Sequence, residues 1–161
     1  MIPLKQRLTY LLLIGAVIVL LDQATKYLVI HYLTHRIFII PGMLDLVSVY
    51  NRGAAFGMFN TGTCVFKTSL LAGISVIVFL VLLFVYLFSK DITRLTMVSL
   101  SMIISGAAGN ILDRIRLGYV VDFIDVYIKD VHWPAFNAAD SAITIGAVLL
   151  ALDLLMPGKK Q

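Results

Sequence analysis

Two aspartates, Asp122 and Asp140, sit where a carboxyl can do more than carry charge. Asp122 lies in Val120-Val121-Asp122-Phe123-Ile124, an acid among large apolar and β-branched side chains, where burial disfavours the ionised form. Asp140 lies in Phe136-Asn137-Ala138-Ala139-Asp140-Ser141, at the start of an apolar run. The topology below puts both acids at one face of a membrane, so they can meet. Two carboxyls at roughly 3 Å cannot both ionise, so the pair keeps one proton and supplies an acid and a base near neutral pH. That is the apparatus for hydrolysing an amide with water. Each acid also has an ordinary reading. Asn137 followed three residues later by Asp140 resembles a capping box, with the charge at a helix N-terminus. Asp122, with Asp125 three residues on, fits a loop acid.

Other residues offer weaker chemistry. Asp22 and Lys26 are four apart on one helix face, where an unpaired charge near lipid is expensive, so a mutual ion pair closing the helix is the economical reading. Asn110, Asp113 and Arg114 close the run Gly109-Asn110-Ile111-Leu112-Asp113-Arg114 and hold the site together. Arg114, like Arg52 in Asn51-Arg52-Gly53-Ala54-Ala55-Phe56-Gly57, suits either a phospholipid headgroup or simple snorkelling. Gly53 and Gly57 suit a substrate groove or a tight turn. Cys64 stands alone, which excludes an internal disulfide and a four-cysteine zinc site, and pairing it with His132 has no local signature. Ser141 and Lys26 make a poor Ser-Lys dyad, because Ser141 points off a different helix face from Asp140. His31 and His35 have a metal pair's spacing but no third ligand of matching context. Neither a metal nor a cofactor is expected.

The elements that position these residues are apolar runs. Hydrophobic residues make up 60% of 161 positions and charged residues 14%, against roughly 25% charge in soluble domains. Such a chain crosses a bilayer. All nine acids are aspartates and the net charge is +4, which fits basic loops against anionic headgroups; without a polybasic arm, nucleic acid is not an expected partner. Spans are expected at about 8–30, 68–88, 95–112 and 138–156, with outer loops at about 31–67 and 113–137, in one membrane-embedded domain over 1–161. Thr68 to Phe88 contains no charge at all. Ser101, Ser105 and Gly109 form a small-residue stripe for close helix packing. Lys5, Arg7, Lys90, Arg94, Lys159 and Lys160 crowd the short segments, which puts both termini in the cytoplasm and the long loops outside. Ile37 to Ile40, a Pro41-Gly42 turn and Leu44 to Tyr50 read as paired strands. The fold expected is an all-α integral membrane protein of four transmembrane helices with a small extracytoplasmic β-sheet platform.

Asp22-Gln23-Ala24-Thr25-Lys26, the Asn51 to Gly57 block, Gly106 to Arg114, Val120 to Ile124 and Phe136 to Ser141, taken in order, resemble the lipoprotein signal peptidase family, signal peptidase II. Five blocks in the family's order, covering nearly the whole chain, make the likeness specific. Ser105 departs from it, standing where the family often has a second glycine. The resemblance implies an aspartic endopeptidase of the bacterial cytoplasmic (inner) membrane with Asp122 and Asp140 as its catalytic dyad. It implies further that Asn51, Arg52, Gly53, Asn110, Asp113, Arg114 and Asn137 support the dyad or the substrate and that Asp22 and Lys26 stabilise the fold. The implied substrate is a prolipoprotein carrying diacylglycerol on the cysteine that becomes the new N-terminus. Membrane lipids are the other expected partner, and function as a monomer follows if one chain supplies the dyad. A rival reading of the same acids is a small proton-coupled transporter or lipid-binding membrane protein, against which stand the absence of an inverted repeat and the crowding of acids at one interface.

Overall fold

The computed structural model describes residues 2–52, 65–90 and 92–155. Four helices and four strands follow one another as α1 (Leu4–Tyr32), β1 (Ile37–Ile40), β2 (Leu44–Asn51), α2 (Val65–Phe88), α3 (Arg94–Leu117), β3 (Val120–Ile128), β4 (Val131–His132) and α4 (Ala138–Leu155). The protein is mostly helical. Among the described residues α1, α3 and α4 are long and apolar enough to cross a membrane, and the apolar part of α2 runs over Gly73–Phe88.

Burial runs opposite to a soluble protein. Leu12 on α1 is 70% exposed and Phe84 on α2 is 63% exposed, while Asp22, Lys26, Ser101 and Ser105 are buried. Many large apolar side chains turn outward, and small or polar ones line the contacts between helices beside a buried cluster of Tyr86, Met97, Leu100 and Ile104, the arrangement that lipid as solvent favours. Glycine permits the closest contacts. A Cβ on Gly106 would stand 2.4 Å from the Ala139 carbonyl oxygen, and one on Gly109 would stand 2.7 Å from Asp22 Oδ2. Ser105, the departure noted in sequence, bonds the Ser101 carbonyl at 2.6 Å inside its own helix, so its hydroxyl needs no other partner.

The strands form one antiparallel sheet in the order β1-β2-β3-β4, across the end where α1 and α3 finish and α4 begins. The expected β1 and β2 are present, joined through Gly42 at φ 85°. The expected second outer loop, 113–137, is corrected. α3 continues to Leu117, because Asp113 finds Lys26 and Gln23 while Arg116 reaches Gln23 Oε1 at 3.2 Å; Gly118, at φ 77°, then ends it with its N–H on the Arg114 carbonyl. Most of the remainder is β3 and β4. The first half of β3 is buried on both faces, so it reads as a continuous apolar run instead of an alternation.

Two contacts fix the sheet against the helices. Val121 and Phe123 of β3 pack with Val29 of α1 and Leu46 of β2. Asp45 and Asp125 face each other across β2 and β3, a like-charge pair that would push the strands apart. Arg36 bridges them at 2.5 and 3.0 Å, and His132 adds a contact to Asp125 at 2.9 Å.

Candidate active site

Asp122 sits on β3 opposite Val49 of β2, and Asn51 closes β2 opposite Val120. That register brings an amide to the acid: Asn51 Nδ2 donates to Asp122 Oδ2 at 2.9 Å. Asn137 Nδ2 donates to the other oxygen, Oδ1, at 2.7 Å. The Asp122 side chain is nearly sealed from solvent, its residue 2% exposed. Burial therefore dominates and pushes its carboxyl up to about 6; the Asn51 hydrogen bond opposes this, the Asp140 charge adds to it, and Asn137 and the Lys26 charge oppose it.

Asp140 is brought to the same place by the start of α4. Before that helix, Phe136 pairs with Ile124 of β3: the Phe136 carbonyl accepts from the Phe123 and Ile124 N–H groups, and the Phe136 N–H donates to the Ile124 carbonyl. Asn137 then begins the helix. Its Oδ1 accepts from the Asp140 N–H at 2.9 Å, while Asp140 Oδ2 accepts from the Asn137 N–H at 3.3 Å. This is the reciprocal cap anticipated from the Asn137-to-Asp140 spacing. The cap and the catalytic readings coexist, because Asn137 turns its Nδ2 away from the helix toward Asp122.

Behind the two acids lies a buried polar layer. Asn110 on α3 donates from Nδ2 to Asp140 Oδ1 at 2.7 Å, and its Oδ1 accepts from Asn137 Nδ2 at 3.2 Å and from Lys26 Nζ at 3.0 Å. Lys26 also contacts Asp22 Oδ2 at 2.8 Å and Asp113 Oδ2 at 2.7 Å. Asp22 does more than pair with Lys26: its Oδ1 accepts from the Ala139 N–H at 3.0 Å, tying α1 to the first turn of α4. Gln23 was not singled out in the sequence. Its Nε2 donates to Asp113 Oδ1 at 2.8 Å and to Asp22 Oδ2 at 3.2 Å, bracing the acids that hold Lys26. Only its place within the Asp22-to-Lys26 block pointed to it.

The remaining candidates separate clearly. Arg114 lies on α3 with Nη1 3.4 Å from the Asn110 carbonyl, at the edge of the polar layer. Arg52 is exposed just past β2. Gly53, Gly57 and Cys64 lie outside the described residues. Ser141 Oγ donates to the Asn137 carbonyl at 2.9 Å, and Lys26 is engaged with three other acceptors, so the Ser-Lys pairing does not form. His31 Nδ1 lies 2.9 Å from the carbonyl of Tyr27. Among the described residues no group of three His, Cys, Asp or Glu side chains is arranged to hold a metal ion. What the arrangement offers is proton transfer: two carboxyls, Asp122 the less exposed, are linked through the side-chain amides of Asn110 and Asn137.

The family model for signal peptidase (SPase) II matches residues 14–156. A relative named lipoprotein signal peptidase from Thermodesulfovibrio yellowstonii is 48% identical over 136 residues, which is 82% of this chain and 85% of that one. Another of that name from Syntrophus aciditrophicus is 38% identical and covers 98% of this chain and 99% of its own. A solved structure of a bacterial membrane enzyme, determined in meso at 2.3 Å, is similar with a TM-score of 0.78 and 32% identity, over 94% of this chain and 92% of that one. Matched along nearly its full length and built of helices that turn their apolar faces outward, this chain is a multi-pass membrane peptidase and belongs to the signal peptidase II family.

Proposed function

We propose that this protein is an aspartic endopeptidase that removes signal peptides from diacylglyceryl-modified prolipoproteins, cutting just before the lipidated cysteine, with Asp122 and Asp140 as its dyad. The single observation that carries the reading is Asn137. One side chain caps α4 through Asp140 and holds Asp122 at 2.7 Å, so the two acids are locked together by the start of one helix. The names of the relatives support the substrate.

In this reading Asp122, the more buried acid, holds the shared proton, and Asp140, half-buried and receiving N–H groups from Asn110 and Asn137, is ionised. Asp140 takes a proton from the attacking water while Asp122 donates its proton to the carbonyl oxygen of the scissile bond. A tetrahedral intermediate forms; as its C–N bond breaks, Asp140 passes the proton taken from water to the leaving nitrogen and the hydroxyl returns one to Asp122, without an acyl-enzyme. The second half of the reading is topology. The chain is one domain with α2 as a fourth span, both termini are cytoplasmic, and the sheet and dyad face outward from the bacterial inner membrane. One chain supplies both acids, so a monomer suffices. Asn51, Asn110 and Asn137 orient the dyad, Asp113 and Arg114 brace it, and Arg52 borders the substrate.

The test is to give the purified protein, in detergent, a prolipoprotein with and without diacylglycerol on its cysteine and to identify the products by mass spectrometry. Cleavage before the cysteine in the lipidated precursor alone is expected. A failure to cut, or an acyl-enzyme trapped on Ser141 or Cys64, would overturn the mechanism.

A further inference from the structure

Lys26 is buried within reach of three acceptors: Asp22 Oδ2, Asp113 Oδ2 and Asn110 Oδ1, at 2.8, 2.7 and 3.0 Å. An ammonium has three donors and no acceptor, so all three of its N–H groups are in use. The consequence falls on Asn110. With its oxygen committed to a group that can only donate, its NH2 must point the other way, and there it meets Asp140 Oδ1 at 2.7 Å. The same Asn110 oxygen accepts from Asn137 Nδ2, which also donates to Asp122. Lys26 is thus one side chain, Asn110, removed from Asp140 and two, Asn110 and Asn137, removed from Asp122.

We infer that Lys26 is a positioning residue for the proposed dyad: it orients Asn110 on Asp140, and its buried charge shifts the pH range in which Asp122 and Asp140 share one proton. The inference rests on the dyad reading above. Stability alone is a weak reason for an ion in this place, because a buried ion pair is often no more stabilising than apolar side chains of the same volume. The charges around the dyad are few. α1 contributes Asp22 and Lys26, α3 contributes Asp113, the half-buried Arg114 and the exposed Arg116, β3 contributes Asp122 and α4 contributes Asp140. From β2 the neighbour is the Asn51 amide, since Asp45 is paired with Arg36 instead. Of these three cations near the dyad, Lys26, Arg114 and Arg116, Lys26 is the fully buried one. Within a low-dielectric layer its charge favours the ionised form of a nearby carboxyl.

The experiment compares pH profiles of kcat/KM on a lipidated prolipoprotein for full-length wild type, Lys26→Met, Lys26→Arg and Asp113→Asn, with thermal midpoints and an Asp122→Asn control. Removing the positive charge in Lys26→Met is expected to move the alkaline limb up by roughly one pH unit. Removing a negative charge beside Lys26 in Asp113→Asn is expected to move it down. Lys26→Arg, which keeps the charge, is expected to keep the wild-type limb whatever its amplitude. A merely structural role lowers amplitude and midpoint in all three and moves no limb, and that result overturns the inference. If Lys26→Met does not fold, the downward shift in Asp113→Asn and the unmoved limb in Lys26→Arg decide the question in the same sense. Activity retained by Asp122→Asn marks failure of the dyad reading itself.

Discussion

The two ends of the helix bundle bury polar groups for different purposes. At the end away from the sheet, Arg7 is 3% exposed and gives its guanidinium to backbone carbonyls: Ser89 at 2.6 Å, Tyr86 at 3.2 Å and Ile2 at 3.0 Å. Tyr86 returns its hydroxyl to the Arg7 carbonyl at 2.6 Å and accepts from Ser101. That cluster is a cap. A cation at a helix C-terminus satisfies orphan carbonyls and the dipole, and no acid is needed nearby. At the sheet end, Asp22, Asp113, Asp122 and Asp140 gather near one buried ammonium, Lys26. More acids than cations in a buried layer is a poor way to stabilise a fold and a direct way to hold a proton. The first cluster closes the bundle; the second, on the proposed reading, holds a proton that can be moved.

Substitutions that separate the two purposes follow from this contrast. Asn137→Ala removes the link between the acids and the cap of α4, so kcat is expected to fall by about a hundredfold and stability by about 1 kcal/mol, read by turnover and thermal midpoint on the same sample. Equal and small losses in both would make Asn137 only a cap. The pH profile comes next. With Asp122 pushed up to about 6 by burial, its carboxyl is protonated below that pH and ionised above it. Because the mechanism needs Asp122 protonated, kcat/KM is expected to fall about tenfold per pH unit above the limb. A profile flat from pH 5 to about 8 would deny Asp122 this role. At the other end, Arg7→Met leaves α2 carbonyls unpaired. It is expected to cost about 1–3 kcal/mol of stability while kcat per folded molecule stays within about twofold. Smallest is Asp153→Asn. Asp153 Oδ2 accepts from Thr93 and Thr96 near the surface, and its loss is expected to shift stability by about 0.5 kcal/mol and activity not at all.

Much of this was legible from local pattern. Long apolar runs marked the helices, Pro41-Gly42 marked the β1–β2 turn, and the spacing of Asn137 and Asp140 marked the cap of α4. The resemblance placed the family, which the match over residues 14–156 bears out, and with it a peptidase in place of the transporter reading. What local pattern missed depends on partners distant in sequence. β3 was unread because a strand buried on both faces has no alternation, and its identity comes from β2, some seventy residues away in the pairing of Asn51 with Asp122. α3 ran past its expected end because Asp113 and Arg116 are satisfied by α1. Arg7 read as a flanking charge that sets orientation, and only the return of α2 beside it makes it a buried cap. Gln23 is one more polar residue of a helix until Asp113 stands next to it.

The central claim is that Asp122 and Asp140 together move the proton, and the most direct measurement is kcat/KM on a lipidated prolipoprotein for Asp122→Asn and Asp140→Asn, each shown to be folded by its thermal midpoint in detergent. Both variants are expected to lose about a thousandfold or more while remaining folded. Full activity in either folded variant would contradict the dyad.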